Sequence, residues 1–404
     1  MQLLTLIIVV ITYAAVAIGR IPRLRMNRAT IALVGSAALI AVGAISQDQA
    51  FSAIDLGTLV LLGAMMVINI NLSLSGFFGL VTARVVQLAR TPRILLALII
   101  VAAGVLSAIF LNDTICVMMT PLVVDLTLRL KRNPIPYLIG LATATNVGST
   151  ATITGNPQNI IIGQASKIPY GTFLLHLAPV ALLGMVVCWL VIVLMFRDEF
   201  RGTLPPLDVP APRTYPPLLN RSLLVIVGLM IAFLAGLPVT SAAAVAAGLL
   251  LISRIRAPKL LAIDWGLLAF FTGLFVVTGA IEVSGISTSL FAAAAPILNG
   301  GVASFSIATA ALSNVVSNVP AVLLLRPVVA AMPNPNLGWL TLAMASTLAG
   351  NLTLLGSAAN LIVAELAAKR DVNLDFMTYL RAGIPITVLT IVIGIVWLSL
   401  TVHV

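Results

Sequence analysis

Between Leu3 and Val402 the chain is a succession of apolar runs separated by short basic loops, and no long stretch carries enough polar side chains to face water. Charged residues make up 8% of its 404 positions, against roughly a quarter in an ordinary soluble domain. The solvent of these runs is therefore lipid, and a large soluble fold is excluded. Read by length and apolarity, the spans are Leu3 to Gly19, Ala29 to Ile45, Leu56 to Leu72, Ile135 to Gly163, Phe173 to Phe196, Ser222 to Leu237, Val239 to Ile252, Trp265 to Ile281, Leu337 to Ala368 and Met377 to Val402. Two of them, 135–163 and 337–368, are interrupted by polar residues. The segments around 94–128 and 301–331 turn in their middles and read as re-entrant hairpins. The fold expected is all-α and polytopic.

The first run is followed, not preceded, by Arg20, Arg23, Arg25 and Arg28, so it reads as a retained span and not a cleaved leader. With the N-terminus outside and each hairpin entering and leaving on one side, the inner loops collect 20 of the 22 basic residues, leaving out Lys167 and Arg326. That asymmetry is what the positive-inside rule demands of an inner-membrane protein with both termini outside. The net charge of +10 is thus a topology signal and no sign of nucleic acid. The longest polar stretch, Arg197 to Arg221, is rich in proline and reads as a stiff cytoplasmic linker, 201–221, between an N-terminal membrane half, 1–200, and a C-terminal half, 222–404.

The two halves repeat. Asp55, Gly57, Ser75 and Gly76 recur 209 residues on as Asp264, Gly266, Ser284 and Gly285. Asn112 and Pro121 recur at 206 as Asn318 and Pro327, and Thr152, Gly155 and Asn159 at 201 as Thr353, Gly356 and Asn360. Each half then holds five crossings, one re-entrant hairpin and one broken helix, and an odd count inverts the second half. Inverted repeats place a solute site near the bilayer midplane, where discontinuous helices meet.

Polarity inside the apolar runs is concentrated at four places. The first hairpin turns at Leu111-Asn112-Asp113-Thr114 and the second at Ser317-Asn318-Val319-Pro320. The broken spans carry Thr145 to Asn159 and Ala349 to Asn360, both dense in Gly, Asn, Ser and Thr. Non-helical backbone at membrane depth survives only against protein or a polar cavity. Freed carbonyls can hold a cation and helix N-termini an oxyanion; small and amide residues also glue membrane helices together. Asp113 stands out as a carboxylate among aliphatics, an expensive placement that marks function. Asp125 and Glu365 read as surface partners of Arg129 and Lys369 one turn on, Asp55 and Asp264 as helix starts, and Glu282 and Arg326 as deeper pairing or gating groups. His176 and His403 are remote from Cys116 and Cys188 and from acidic clusters, so neither a metal site nor a cofactor is indicated, and no catalytic set appears.

At the tips and breaks the sequence resembles the ion transporter superfamily, which includes arsenite efflux permeases and sodium-coupled divalent anion symporters. The tip Asn112-Asp113 and the stretch Leu312-Ser313-Asn314-Val315-Val316-Ser317-Asn318-Val319-Pro320 look like the arsenite branch; Thr154-Gly155-Asn156-Pro157-Gln158-Asn159 is similar to a symporter break. The resemblance implies a secondary transporter of a small inorganic oxyanion or its neutral acid, with arsenite or antimonite leaving as protons enter, or sodium-coupled sulfate or dicarboxylate uptake as the alternative. It further implies an elevator-like motion and a homodimer. The solute positions expected are Asn112, Thr114, Asn146, Ser149, Thr150, Asn318, Asn351 and Thr353. The coupling ion, a proton or alternatively sodium, falls to Asp113, Thr154, Gly155, Asn156, Gly356 and Ser357.

Overall fold

The computed structural model describes residues 2–18, 20–21, 26–205, 213–252, 259, 262–286 and 300–402. Of the features above, Arg23, Arg25, His403 and residues 206–212 of the proline-rich stretch lie outside these. The described residues are helical apart from turns and one short antiparallel pair, β1 (Arg20–Ile21) with β2 (Met26–Asn27). The N-terminal half runs α1 (Gln2–Ile18), α2 (Arg28–Ala41), α3 (Gln47–Ala53), α4 (Leu56–Leu74), α5 (Phe77–Leu88), α6 (Pro92–Ile109), α7 (Asn112–Arg129), α8 (Pro134–Ser149), α9 (Pro157–Ser166) and α10 (Tyr170–Met195). The C-terminal half runs α11 (Pro216–Leu234), α12 (Val239–Leu251), α13 (Trp265–Val283), α14 (Gly301–Val316), α15 (Asn318–Ala330), α16 (Pro335–Ala349), α17 (Ala358–Ala368) and α18 (Phe376–Thr401).

Helix starts follow from local chemistry. Asp55 caps α4 by accepting from the Thr58 amide, and Asp264 caps α13 by accepting from Leu267, each at 2.9 Å. Both helices are 19 residues long and end at a serine followed by a glycine with positive φ, Gly76 at 83° and Gly285 at 74°. Only glycine adopts that conformation without a steric penalty. Asn133 and Asn334 likewise cap α8 and α16 ahead of a proline in the first turn, where its missing N–H costs nothing. The linker is shorter than its composition implied, because α11 already begins at Pro216.

Helices α1, α10, α11, α12 and α18 expose large aliphatic side chains such as Leu3, Leu175 and Leu224 at 71%, 75% and 74%, the signature of a lipid-facing ring. Helix α8 is the opposite: every residue except Ile135 is buried, and α16 is buried from Gly338 to Ala349. A helix enclosed on every side is a core element, and the buried Thr, Ser and Asn side chains of these two helices must therefore find partners inside the protein. Around this core the packing is exchanged between halves, α2 lying on α13 and α4 on α12.

Among the described residues six helices, α4, α6, α10, α11, α13 and α18, are long and apolar enough to cross a bilayer. The expected spans over α2 and α12 are shorter than anticipated, 14 and 13 residues, or about 20 Å against a hydrocarbon core of about 30 Å. Helix α6, expected as a hairpin arm, has spanning length, so length does not by itself separate arms from crossings. The short helices α3 and α5 had no counterpart in the span reading.

The tightest crossing is α6 on α8, where a Cβ added to Gly148 would lie 2.1 Å from the Gly104 carbonyl oxygen. Gly148→Val therefore lowers folding stability by about 1–3 kcal/mol through overpacking, seen as a lower thermal midpoint of the purified protein in detergent. Gly63→Val, at a position with nothing within 4 Å, leaves the midpoint unchanged.

Candidate functional site

Each broken helix solves one problem in the same way. After Ser149 the chain leaves the helical ladder, and it re-enters at Pro157, where the Asn156 side chain accepts from the Asn159 amide at 2.8 Å. Asn159 then turns its own side-chain amide onto two freed carbonyls, Ser149 at 3.1 Å and Thr152 at 2.9 Å. In the other half Ser357 caps α17 through the Ala359 amide, and the Asn360 side chain donates to Gly350 at 2.8 Å and Thr353 at 3.1 Å. The residues bracketed in this way match at the 201 offset, and so do the glycines beside them. A Cβ on Gly155 would stand 2.5 Å from the Ser149 oxygen, and one on Gly356 3.0 Å from the Gly350 oxygen.

The hairpin tips dock onto these breaks. The Asn112 backbone amide donates to the Gly155 carbonyl at 2.9 Å, Thr152 donates its hydroxyl to the Ala108 carbonyl at 2.5 Å, and Ser107 donates to the Thr145 carbonyl at 2.6 Å. At the second tip Asn314 donates to the Ala349 carbonyl at 3.1 Å. Asn318 closes on Gly350, whose Cβ would be 3.0 Å from the Asn318 side-chain nitrogen. The turn itself is made by Ser317 at φ 77°, a conformation costly for a residue with a Cβ and common at functional sites.

The two breaks meet in a buried network of amides and hydroxyls. Asn146 donates to Asn351 at 2.9 Å and to Asn360 at 3.1 Å, while its own oxygen accepts from Asn112 and from Ser357, each at 3.1 Å. Thr347, which stands 201 residues beyond Asn146, accepts from Asn156 at 3.2 Å and donates to Asn159 at 3.4 Å. The contacts are reciprocal: position 146 touches 357 and 360, and position 347 touches their counterparts 156 and 159. Three acceptors at the tips, the side-chain oxygens of Asn112, Asn314 and Asn318, are buried and have no partner. A buried polar atom left unmatched is costly, on the order of 1–3 kcal/mol.

Of the residues singled out from sequence, Asn112, Asn146, Asn351, Asn156, Ser357 and Ser149 are brought together here, Ser149 through a 3.0 Å bond from Asn156. The Gly155 carbonyl joins them through Asn112, and Gly356 and Asn318 pack against the second break. Thr114 instead faces α4, where Asn69 donates to it at 3.1 Å. Thr150 returns its hydroxyl to the Asn146 carbonyl of its own helix, and Thr154 turns away to the Tyr170 hydroxyl. Thr353 enters through its carbonyl, as a partner of Asn360. Asn159, Asn360, Thr347 and Asn69 were missed as site residues. The first three could be found by carrying the 201 offset from Asn146, Asn156 and their neighbours across to the other half.

Several charges sit differently from the sequence expectation. Asp113 is half-buried in the first turn of α7. Asp125 pairs with Arg370 at 3.1 Å and not with Arg129, because α7 lies against α17 and brings the distant guanidinium closer than the one a turn away. With both side chains a third or more exposed, that pair contributes about 0–1 kcal/mol. Glu282 is exposed at the end of α13 and not deep in the protein. Cys116 is buried, its sulfur 3.2 Å from the Thr145 hydroxyl.

An all-helical membrane protein in which two hairpin tips close on two broken helices around a polar centre is a secondary transporter of the ion transporter superfamily. Residues 7–349 match the family described as citrate transporter, CitMHS, and the chain belongs to that family. It is 32% identical to a silicon efflux transporter of rice (Oryza sativa subsp. japonica) over 93% of each chain, and 23% identical to a Dictyostelium discoideum protein provisionally named transporter arsB over 92% of this chain and 87% of the other. The crystal structure of the YdaH transporter from Alcanivorax borkumensis superposes with a TM-score of 0.61 at 14% identity, covering 99% of this chain and 97% of that one, and so shares its fold.

The network predicts a hierarchy of costs. Asn146→Ala strips Asn112, Asn351, Asn360 and Ser357 of one partner each and destabilises the protein by roughly 1–3 kcal/mol or more. Thr150→Val removes only a bond within one helix and stays within about 1 kcal/mol. Chemical denaturation of the two purified variants, compared with the unaltered protein, checks the order.

Proposed function

We propose that the protein is an efflux antiporter that carries a small neutral hydroxide, arsenite or antimonite, out of the cell as protons enter. The observation that carries the reading is the make-up of the centre. Amides and hydroxyls supply its polar contacts, three amide oxygens at the tips lack a donor, and the acidic group at the tips is Asp113. A neutral hydroxide brings O–H donors to such acceptors and needs no fixed counter-charge. An oxyanion or polycarboxylate would meet the Asp113 charge instead, at a cost unless a cation intervenes. Asp113 is the proton carrier in this reading, and Asn112, Asn146, Asn318 and Asn351 are the solute ligands. The rice relative's name supports a neutral hydroxide as cargo class, since dissolved silicon is itself a hydroxide, and the Dictyostelium relative's name points to arsenic.

The matched bracketing of the breaks and the exchanged packing of α2, α4, α12 and α13 support two inverted repeats of five crossings, with α6–α7 and α14–α15 as the re-entrant hairpins. Residues 1–200 and 222–404 form the two halves, in a bacterial-type inner membrane with both termini outside. The hairpins and broken helices would move together against the remaining helices, in a protomer that pairs as a homodimer.

A second reading is sodium-coupled uptake of a divalent anion or carboxylate. It is favoured by the description of the family as citrate transporters and by the freed carbonyls at both breaks, which suit a sodium ion. Proteoliposomes with imposed pH or sodium gradients separate the two. The antiporter requires proton movement driven by arsenite or antimonite without sodium; sodium-dependent citrate, sulfate or succinate uptake with no arsenite response replaces it. In the first case Asp113→Asn abolishes the pH-driven flux while retaining the folded protein, and full retained flux removes Asp113 from the coupling role. Asn112→Ala and Asn318→Ala each raise the KM, and a normal KM in either breaks the two-sided site.

A further inference from the structure

Helix α4 carries a polar stripe along the first hairpin. Asn69 donates its side-chain amide to Thr114 at 3.1 Å, and one turn later Ser73 donates to the Met118 sulfur at 2.9 Å. Both contacts join residues 45 apart, so α4 and α7 run side by side in the same direction, with the tip at the Asn69 level. Asn69 is 1% exposed, and its side-chain oxygen has no hydrogen-bond partner.

Its counterpart in the other half shows that the orphan is not required by the architecture. At an offset of 209, position 69 corresponds to Thr278 of α13, whose hydroxyl is satisfied by the Tyr13 hydroxyl at 3.1 Å. There the polar group is sealed between two helices of the surrounding scaffold. Asn69 instead reaches across to Thr114, two residues along from Asn112, and keeps an unused acceptor beside that bond; the Asn112 oxygen is also unpartnered. Two orphaned amide oxygens flank the first turn of α7, one from the tip and one from α4.

We infer that Asn69 is a specificity-determining residue of the transport site, whose side-chain oxygen accepts an O–H of the solute while its amide holds Thr114. The inference rests on the neutral-hydroxide reading above and sharpens it. A solute with two or more hydroxyl donors satisfies the Asn69 and Asn112 oxygens together. An ionised oxyanion presents acceptors to acceptors and is refused. The ligand class is therefore the undissociated polyhydroxy acid, and the selection comes in part from α4, outside the tips and breaks.

Asn69→Leu tests this, because it removes donor and acceptor at similar volume. An acceptor that waits for solute is a burden on the empty protein, and its removal offsets the lost bond to Thr114, so the thermal midpoint of the solute-free protein is unchanged or higher. In proteoliposomes loaded with arsenious acid the KM rises about 5-fold or more, with the maximal rate within about 2-fold. Asn69→Asp keeps an acceptor and serves as the conservative variant, recovering at least half of the lost affinity at a pH where the introduced carboxyl is protonated. A lower midpoint with an unchanged KM in Asn69→Leu makes Asn69 a structural clamp on Thr114 and overturns the inference. Absence of arsenious and silicic acid flux in the unaltered protein overturns the underlying reading instead; the direction of the midpoint change then still decides whether the Asn69 oxygen is unsatisfied at rest, and a fall rejects it.

Discussion

Everything at the centre of this protein depends on the two asparagine side chains that bracket the helix breaks. Where α8 and α16 stop, the last carbonyls lose their helical donors in a region without bulk water, and unmatched peptide groups there would cost several kcal/mol each. Asn159 and Asn360 each place one side-chain amide between two such carbonyls. Because the break is held from inside, the next helix can begin with its N-terminus at the centre, the glycines Gly155 and Gly356 can press against the preceding carbonyl, and the hairpin tips find a fixed surface on which to dock. A leucine at 159 or 360 would leave the carbonyls bare and the break without a defined shape.

The same brackets create the meeting of halves. Asn156 and Ser357, which cap the re-entering helices, turn their remaining hydrogen-bonding capacity toward the opposite repeat, to Thr347 and Asn146. Each polar residue thus serves its own half through the backbone and the other half through its side chain. A network satisfied on both counts specifies one arrangement, since a slip of either broken helix would break bonds in both halves at once.

Much of this is legible in the amino-acid sequence. The all-helical membrane class, the two interruptions, the turns at Leu111 and Ser317, and the capping by Asp55 and Asp264 follow from apolar runs and local polarity, because the bilayer makes every polar residue at depth conspicuous, whereas α2 and α12 are shorter than the spans read there. The repeat offsets establish which residues correspond. Hidden from the sequence is whatever depends on how helices lie together. The pairing of Asp125 with Arg370 defeats the local i+4 reading, since two helices from opposite halves end beside one another. Thr154 reads as part of the polar block, yet the turn between α8 and α9 directs it to Tyr170. Asn69 sits in an unbroken apolar helix, and nothing in its neighbourhood distinguishes a packing amide from one that reaches the tip. Helix α5 escapes notice because twelve residues with an apolar stripe cannot be told by hydropathy from the end of the span that precedes them.

The departures from two-fold repetition carry the functional argument further than the repetition does. If both halves bound the solute alike, position 146 and position 347 would hold the same residue, yet one is an asparagine with four partners and the other a threonine. The first turn has Leu111 in ordinary extended backbone and is followed by Asn112 and Asp113, whereas the second strains Ser317 and is followed by Asn318 and Val319. The sole carboxylate at the tips, the larger hub and the reaching amide of Asn69 all belong to the first half. Symmetric backbone and asymmetric side chains divide the labour: the repeated brackets and caps build a shape that two halves can share, unpaired amide oxygens stand in both halves at Asn112, Asn314 and Asn318, and the first half alone adds a carboxylate at its tip. A duplicated framework gains unlike chemistries within one centre when both copies keep the framework residues and one of them adds a carboxylate.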